Sequence, residues 1–212
     1  MKEFKRARTK EQIATRQEEI INVCDKIYRK KGYEAVHFKA VSQMTSISRP
    51  TIYNYYNTKE EIFLDLLKRD FACWTQELRT HFEKRKKMTK KDFCNFLADS
   101  ILNHEKYFEL LFVFMPSIEK NSSLEKLTIY KQNVWSFRTA FFEGLAKFFP
   151  DADSETKDIF YIHFKSVAYG VYPLTHLSSN QIKAMKKVSP KYKIPDFRQI
   201  CFDALMLLIA AI

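Results

Sequence analysis

The chain has 212 residues, enough for one large or two small domains with a real core, and three Gly beside six Pro argue for an all-helical protein. A net charge of +11 favours a polyanionic partner. No Gly-rich phosphate loop, metal-ligand cluster, or Ser/His/Asp or Cys/His arrangement stands out, so no enzyme, metal site or cofactor is expected.

The charge is unevenly placed: residues 1–60 carry 13 Lys/Arg against 7 Asp/Glu, and residues 79–91 carry 7 against 1. The cysteines at 24, 73, 94 and 201 have no metal or redox spacing and read as reduced, packed side chains. MKEFKRARTK lacks the apolar stretch of a signal peptide, and the longest apolar run, Ala204–Ile212, is too short to span a bilayer. A cytoplasmic protein without a membrane partner is expected.

Residues 2–10, with Lys2, Lys5, Arg6, Arg8 and Lys10, read as a basic arm that adds phosphate or minor-groove contacts, or as a solvated tail. Residues 11–31 form the first helix, with Ile13, Ile20, Cys24, Ile27 and Tyr28 inward and Gly32 ending it. Arg29-Lys30-Lys31 complements the helix dipole there. Lys39, early in the next helix, is a better phosphate ligand.

Phe38, Val41 and Met44 then recur at helical spacing, and Thr45-Ser46-Ile47-Ser48 interrupts them with a turn. Ser48 is a good N-cap, and Pro50 falls in the first turn of a new helix, where its missing N–H costs nothing. Ile52 and Tyr56 face inward, leaving Arg49, Thr51, Tyr53, Asn54 and Tyr55 outside. Two short helices joined by a tight turn are a helix-turn-helix, whose second helix enters the DNA major groove. Arg49 and Asn54 suit base edges, Thr51 a thymine methyl or a phosphate, and the tyrosines phosphate oxygens. Thr58 caps a further helix, and Lys59 at its start makes a phosphate site.

From Val41 to Ile62 the chain reads VSQMTSISRPTIYNYYNTKEEI, and this resembles the signature of the tetracycline-repressor (TetR) family, Ile-Ala-x-x-Ala-Gly-Val-Ser-x-x-Thr-Leu-Tyr-x-x-Phe-x-x-Lys-x-x-Leu. Ser48, Thr51, Tyr53 and Lys59 match outright, and Val41, Ile47, Ile52, Tyr56 and Ile62 match in kind. Ser46 departs from the usual turn Gly, and Ser42 and Thr45 replace alanines; His37 stands where the family tends to have a Ser or Thr cap and is expected to cap poorly or to touch phosphate. The resemblance is specific for residues 10–65. It implies a helix-turn-helix DNA-binding domain over residues 1–58 and a helical ligand-binding and dimerisation domain over residues 59–212. It further implies a homodimeric repressor on double-stranded DNA, released from a palindromic operator by a small hydrophobic ligand. The alternative is a DNA-bound interaction or architectural protein controlled by a protein partner.

The helix from Lys59 is long, with Phe63, Leu66, Leu67, Phe71, Trp74, Leu78 and Phe82 in step. Its basic end, Arg79–Lys91, reads as a solvated helix end and loop. Thr89 caps the next helix, and an apolar segment, Glu105–Phe114, is expected to stop at Met115-Pro116. A long helix runs from Leu124 through Phe149, and another from Ser154 to Pro173. A short one is expected around Gln181–Val188, and the last begins near Asp196 and turns apolar all round from Ala204.

The last two long helices look suited to the family's dimer interface, which places Phe160, Phe164, Val167, Val171, Leu205 and Leu208 against a second copy. The family's ligand pocket is expected among Trp74, Phe108, Phe112, Trp135, Arg138, Phe142 and Tyr169, for a flat lipophilic or cationic compound. His104 and Arg138 are candidate polar anchors, although a lone His is more often structural and a lone Arg solvated.

Overall fold

A computed structural model describes residues 9–212, which form helices, turns and loops with no strand among them. The basic-arm residues Lys2, Lys5, Arg6 and Arg8 lie outside the described residues. The chain divides into two compact units: one runs to Arg69 and includes Pro116–Gln132, and the other joins Asp70–Met115 to Asn133–Ile212.

In the first unit, α1 (Lys10–Lys31) starts at a capping box between Thr9 and Gln12 and stops at Gly32, whose φ of 79° is one that residues with a Cβ rarely adopt. Ile20, Ile21, Cys24, Ile27 and Tyr28 are its buried face. Ile13, expected inward, is exposed, because it sits almost two turns before the first buried position. A 3₁₀ turn, Tyr33–Ala35, stacks Tyr33 on Phe63 at 4.6 Å, while Tyr28 meets the same ring edge-on at 5.7 Å. Then come α2 (Phe38–Met44), α3 (Arg49–Ile52) and the first turns of α4 (Lys59–Glu83). α6 (Met115–Lys120) and the start of α7 (Leu124–Phe148) complete the unit.

The second unit holds the rest of α4 and α7 with α5 (Lys90–Asn103), α8 (Ser154–Thr175), α9 (Ser179–Val188) and α10 (Phe197–Leu208). α10 packs on both α5 and α8. Phe93, Phe108, Phe137, Phe141 and Phe164 are fully buried and make an aromatic core. Burial pushes the Cys94 and Cys201 thiols up to about 12, so both stay protonated packing groups.

Two prolines expected to end helices do not. Leu110–Phe114 is a π-helical turn that leads directly into α6, with Pro116 in the first turn of α6. The widened ladder of a π turn is a place where a missing N–H is accommodated. Pro173 lies inside α8, which continues two residues further, to Thr175. So close to the end, its lost bond costs less than it would in the helix middle.

Candidate nucleic-acid interface and effector core

The helix-turn-helix is held from within by Ile47, Ile52 and Tyr56, all essentially fully buried. α3 is only four residues long. Its backbone nevertheless keeps turning, since Asn54 N donates to Thr51 O at 3.1 Å and Tyr56 N to Ile52 O at 3.1 Å. The Ser48 hydroxyl accepts from Thr51 N at 3.4 Å and lies 2.8 Å from the Thr51 hydroxyl.

Arg49, Pro50 and Asn54 are exposed, Thr51 and Tyr55 half-buried. Tyr53 is 50% exposed, with its ring edge-on to Phe38 at 4.7 Å and its hydroxyl 3.4 Å from Arg49 Nη2. One edge of that ring is thus fixed by α2, and the other end orients Arg49. Lys39 is exposed at the start of α2. His37 caps that helix: its Nδ1 accepts from Ala40 N at 3.1 Å, a bond that requires a ring unprotonated at that nitrogen. The expectation of a poor cap is corrected here.

The turn itself needs no glycine. No non-glycine residue among those described has a positive φ, so Ser46 sits in an ordinary conformation. Its amide and hydroxyl both donate to the Glu19 carboxylate on α1, and Arg16 Nη1 donates to the Ser46 hydroxyl at 2.7 Å. Thr45 Oγ1 donates to Val41 O at 3.1 Å and accepts from Ile47 N at 3.3 Å. The side chains that distinguish this turn from the family pattern are the ones that fasten it.

Lys59 has company in the free protein. Its Nζ is 3.1 Å from Glu34 Oε2 and 4.2 Å from the centre of the Tyr33 ring. A phosphate would have to displace an exposed carboxylate to reach it. Nearby, the buried Asp65 accepts from the Tyr56 hydroxyl at 2.9 Å, from Lys126 Nζ at 2.7 Å and from Lys68 Nζ at 2.7 Å. Burial opposes the Asp65 charge, yet the bonds to Lys126 and Lys68 outweigh it and hold the carboxyl below its usual range. Sequence reasoning missed Glu19, Arg16 and Asp65.

In the second unit Trp74, Phe108 and Tyr169 do come together, with Trp74–Phe108 at 6.0 Å and Phe108–Tyr169 at 6.1 Å. The cavity among Phe71, Trp74, Phe137, Tyr161, Lys165 and Tyr169 is only about 10 Å³, one water at most. Of the residues expected at a pocket, Trp74 and Tyr169 line it, and Phe108, Phe112, Trp135, Arg138 and Phe142 do not. On α7 the inward residues are Phe137 and Phe141, and positions 135, 138 and 142 are rotated away from them. Trp135 is 64% exposed, and the Arg138 guanidinium lies 4.1 Å from the Phe142 ring centre and 2.6 Å from Asp158. Phe112 points to solvent from the π turn.

His104 is the polar centre of this core. Nδ1 is 2.8 Å from Asp70 Oδ1, Nε2 is 3.1 Å from Glu77 Oε2, and the ring stacks on Trp74 at 4.9 Å. Burial by itself lowers its pKa, but the bonds to Asp70 and then Glu77 outweigh that and raise it to about 9. Trp74 Nε1 donates to Ser100 Oγ at 2.6 Å, so the indole is satisfied as well.

Four of the six residues expected at a dimer interface are enclosed. Phe160, Phe164, Val171 and Leu205 are buried within their own unit, and Val167 and Leu208 are half-buried. Side chains already enclosed have no area to offer a second chain. The exposed large apolar residues on these helices are Ile159, Ile162, Leu174 and Leu207.

A capped, plugged helix-turn-helix carrying Arg49, Tyr53 and Asn54 outward, followed by an all-helical unit, defines a DNA-binding transcriptional regulator. The profile described as bacterial regulatory proteins, tetR family, matches residues 20–66, and that described as tetracyclin repressor-like, C-terminal domain, matches residues 68–210. The chain belongs to the TetR family and is a TetR-family transcriptional regulator. Similar solved structures include the fatty acid degradation regulator FadR from Bacillus halodurans, at 15% identity over 92% of this chain and 98% of that one, with a TM-score of 0.58. The transcriptional regulator FadR from Bacillus subtilis, in complex with stearoyl-CoA, is similar at 16% identity over 92% and 98%, with a TM-score of 0.54. At those identities the likeness is one of fold. None of the curated proteins searched matches the sequence. No helix among the described residues is long and apolar enough to cross a membrane.

Proposed function

We propose that the protein is a dimeric repressor that binds an inverted-repeat operator and is released by a long-chain acyl effector. DNA reading falls to residues 1–58, and effector binding and dimerisation to residues 59–212. The observation that carries the proposal is the outward set on the fastened turn: Arg49 and Asn54 address base edges and Thr51 a thymine methyl. Lys39, Ser48, Tyr53, Tyr55 and, once Glu34 is displaced, Lys59 hold phosphates.

Two such heads match a palindrome when two copies pair around a two-fold axis. The outer face of α8 suits that pairing. Ile159, Ile162, Ser166 and Gly170 recur at helical spacing, and a Cβ at Gly170 would meet nothing within 4 Å, so a second backbone could approach closely.

The effector class rests on the aromatic core and on the stearoyl-CoA held by the Bacillus subtilis neighbour. A ligand of that size needs a site on the order of 300 Å³ or more. The cavity of about 10 Å³ must therefore open, by displacement of lining side chains such as Trp74 and Tyr169. Binding then selects an opened conformation, and release follows if that conformation sets the heads at a spacing the operator does not fit. The closed core is also what favours the second reading, a DNA-bound interaction protein governed by a protein partner.

Stearoyl-CoA titrated against the full-length protein in a thermal-shift assay separates the two. The repressor reading expects Tm to climb with ligand concentration, as for any ligand that binds only the folded state, and DNA to be released over the same range. No shift and no release would leave the partner-controlled reading in its place.

A further inference from the structure

The cavity between Trp74 and Tyr169 has a cation at its rim. Lys165 on α8 lines it, with Nζ 4.9 Å from the centre of the buried Tyr161 ring. Lys165 has no ion-pair partner among the described residues. The Arg138 guanidinium approaches the same ring from α7, at 5.8 Å, and lies 4.9 Å from the ring of the exposed Trp135. Arg138 shares its charge with Asp158, whose side chain is half exposed, and that bond uses only Nη2 of a five-donor group. Lys165 leaves the rim positive beside an apolar interior, while Arg138, paired with Asp158 and outside the cavity lining, reaches the same Tyr161 ring. The Lys165 ammonium is half-buried and lies over the Tyr161 ring with no carboxylate paired to it among the described residues, so a negatively charged group at this rim is the complement the geometry asks for.

We infer that Lys165, aided by Arg138, holds the anionic end of an acyl effector whose chain enters the core between Trp74 and Tyr169. The inference rests on the acyl-effector reading above and deepens it. The shared chemistry is a long apolar chain ending in negative oxygens, whether a fatty-acid carboxylate or the phosphates of an acyl-CoA.

The test is calorimetric binding to the full-length protein of stearoyl-CoA, stearate and octadecanol, the last delivered from cyclodextrin, compared across wild type, Lys165→Met and Lys165→Arg. Methionine keeps an apolar stem over Tyr161 and removes only the charge. The expected result is a loss of about tenfold for the anionic ligands in Lys165→Met, the size of one charge-assisted hydrogen bond, with octadecanol changed less than about twofold and Lys165→Arg restoring the affinity. A loss confined to stearoyl-CoA assigns the rim to its phosphates; a loss shared with stearate assigns it to the end of the chain. Equal weakening of all three ligands, or of none, overturns the inference and leaves the acyl-effector reading standing. If wild type binds none of the three, both fall.

Discussion

The most quantitative consequence of the structure concerns His104. The imidazolium is bonded at both nitrogens to carboxylates, Asp70 and Glu77, and stacked on Trp74. A neutral ring has one N–H to give, so deprotonation strands one of the two acids. Its folded-state pKa of about 9 lies above the ordinary 6.5, and the sign follows. The stabilisation is fully present below pH 6.5 and is lost as pH rises through 9. At about 1.4 kcal/mol per pH unit across that interval, the contribution is about 3 kcal/mol at most, somewhat less because Glu77 is partly exposed. Urea unfolding at pH 6 and pH 9, followed by circular dichroism, should show wild type losing about 2–3 kcal/mol more than His104→Gln, which carries no titrating group there. Equal losses in the two proteins would mean that His104 is neutral across the range and that the charged cluster does not exist.

Asp65→Asn should destabilise the first unit by about 3 kcal/mol, because it leaves Lys126 and Lys68 beside a buried neutral amide, and the loss should appear in chemical denaturation at neutral pH. Glu19→Ala removes the acceptor for both Ser46 donors; it should cost roughly 1–2 kcal/mol and weaken DNA binding without changing base preference. Ile162→Glu, on the exposed face of α8, should halve the mass measured by light scattering, whereas a monomeric wild type would refute the pairing face.

How much of this could be read from the chain alone depends on the range of the interactions. The Ser48 cap and the apolar spacing of Ile52 and Tyr56 are local patterns, and the helix-turn-helix follows from them. The bond from Glu19 to Ser46 spans 27 residues, and an acid on the outer part of a helix carries no mark of a distant partner. Asp70 and Glu77 did leave a trace, since seven residues apart on a helix is one face, and two acids there among aromatics call for a cation. His104 supplies it from α5's end, a pairing that only packing reveals. The α8 residues show a different failure. Phe160, Phe164 and Val171 are the more hydrophobic stripe, and hydrophobicity marks a side chain as buried without saying whose core buries it. The outer stripe of Ile159, Ile162, Ser166 and Gly170 is weaker because small and polar residues interrupt it. In the same way, aromatic content gave no distinction between the filled core around Trp74 and the surface group of Trp135, Arg138 and Phe142.

The central claim is that Arg49 and its neighbours read a defined DNA sequence as a pair of heads. Selection of bound sites from a random DNA pool, carried out with wild type and with Arg49→Ala, tests it most directly. The account predicts an inverted repeat for wild type and a loss of preference at particular base pairs in each half-site for the variant, worth about 1–3 kcal/mol per position. Recovery of no motif, with binding that disappears at moderate salt in both proteins, would contradict it and reduce the head to a patch of positive charge.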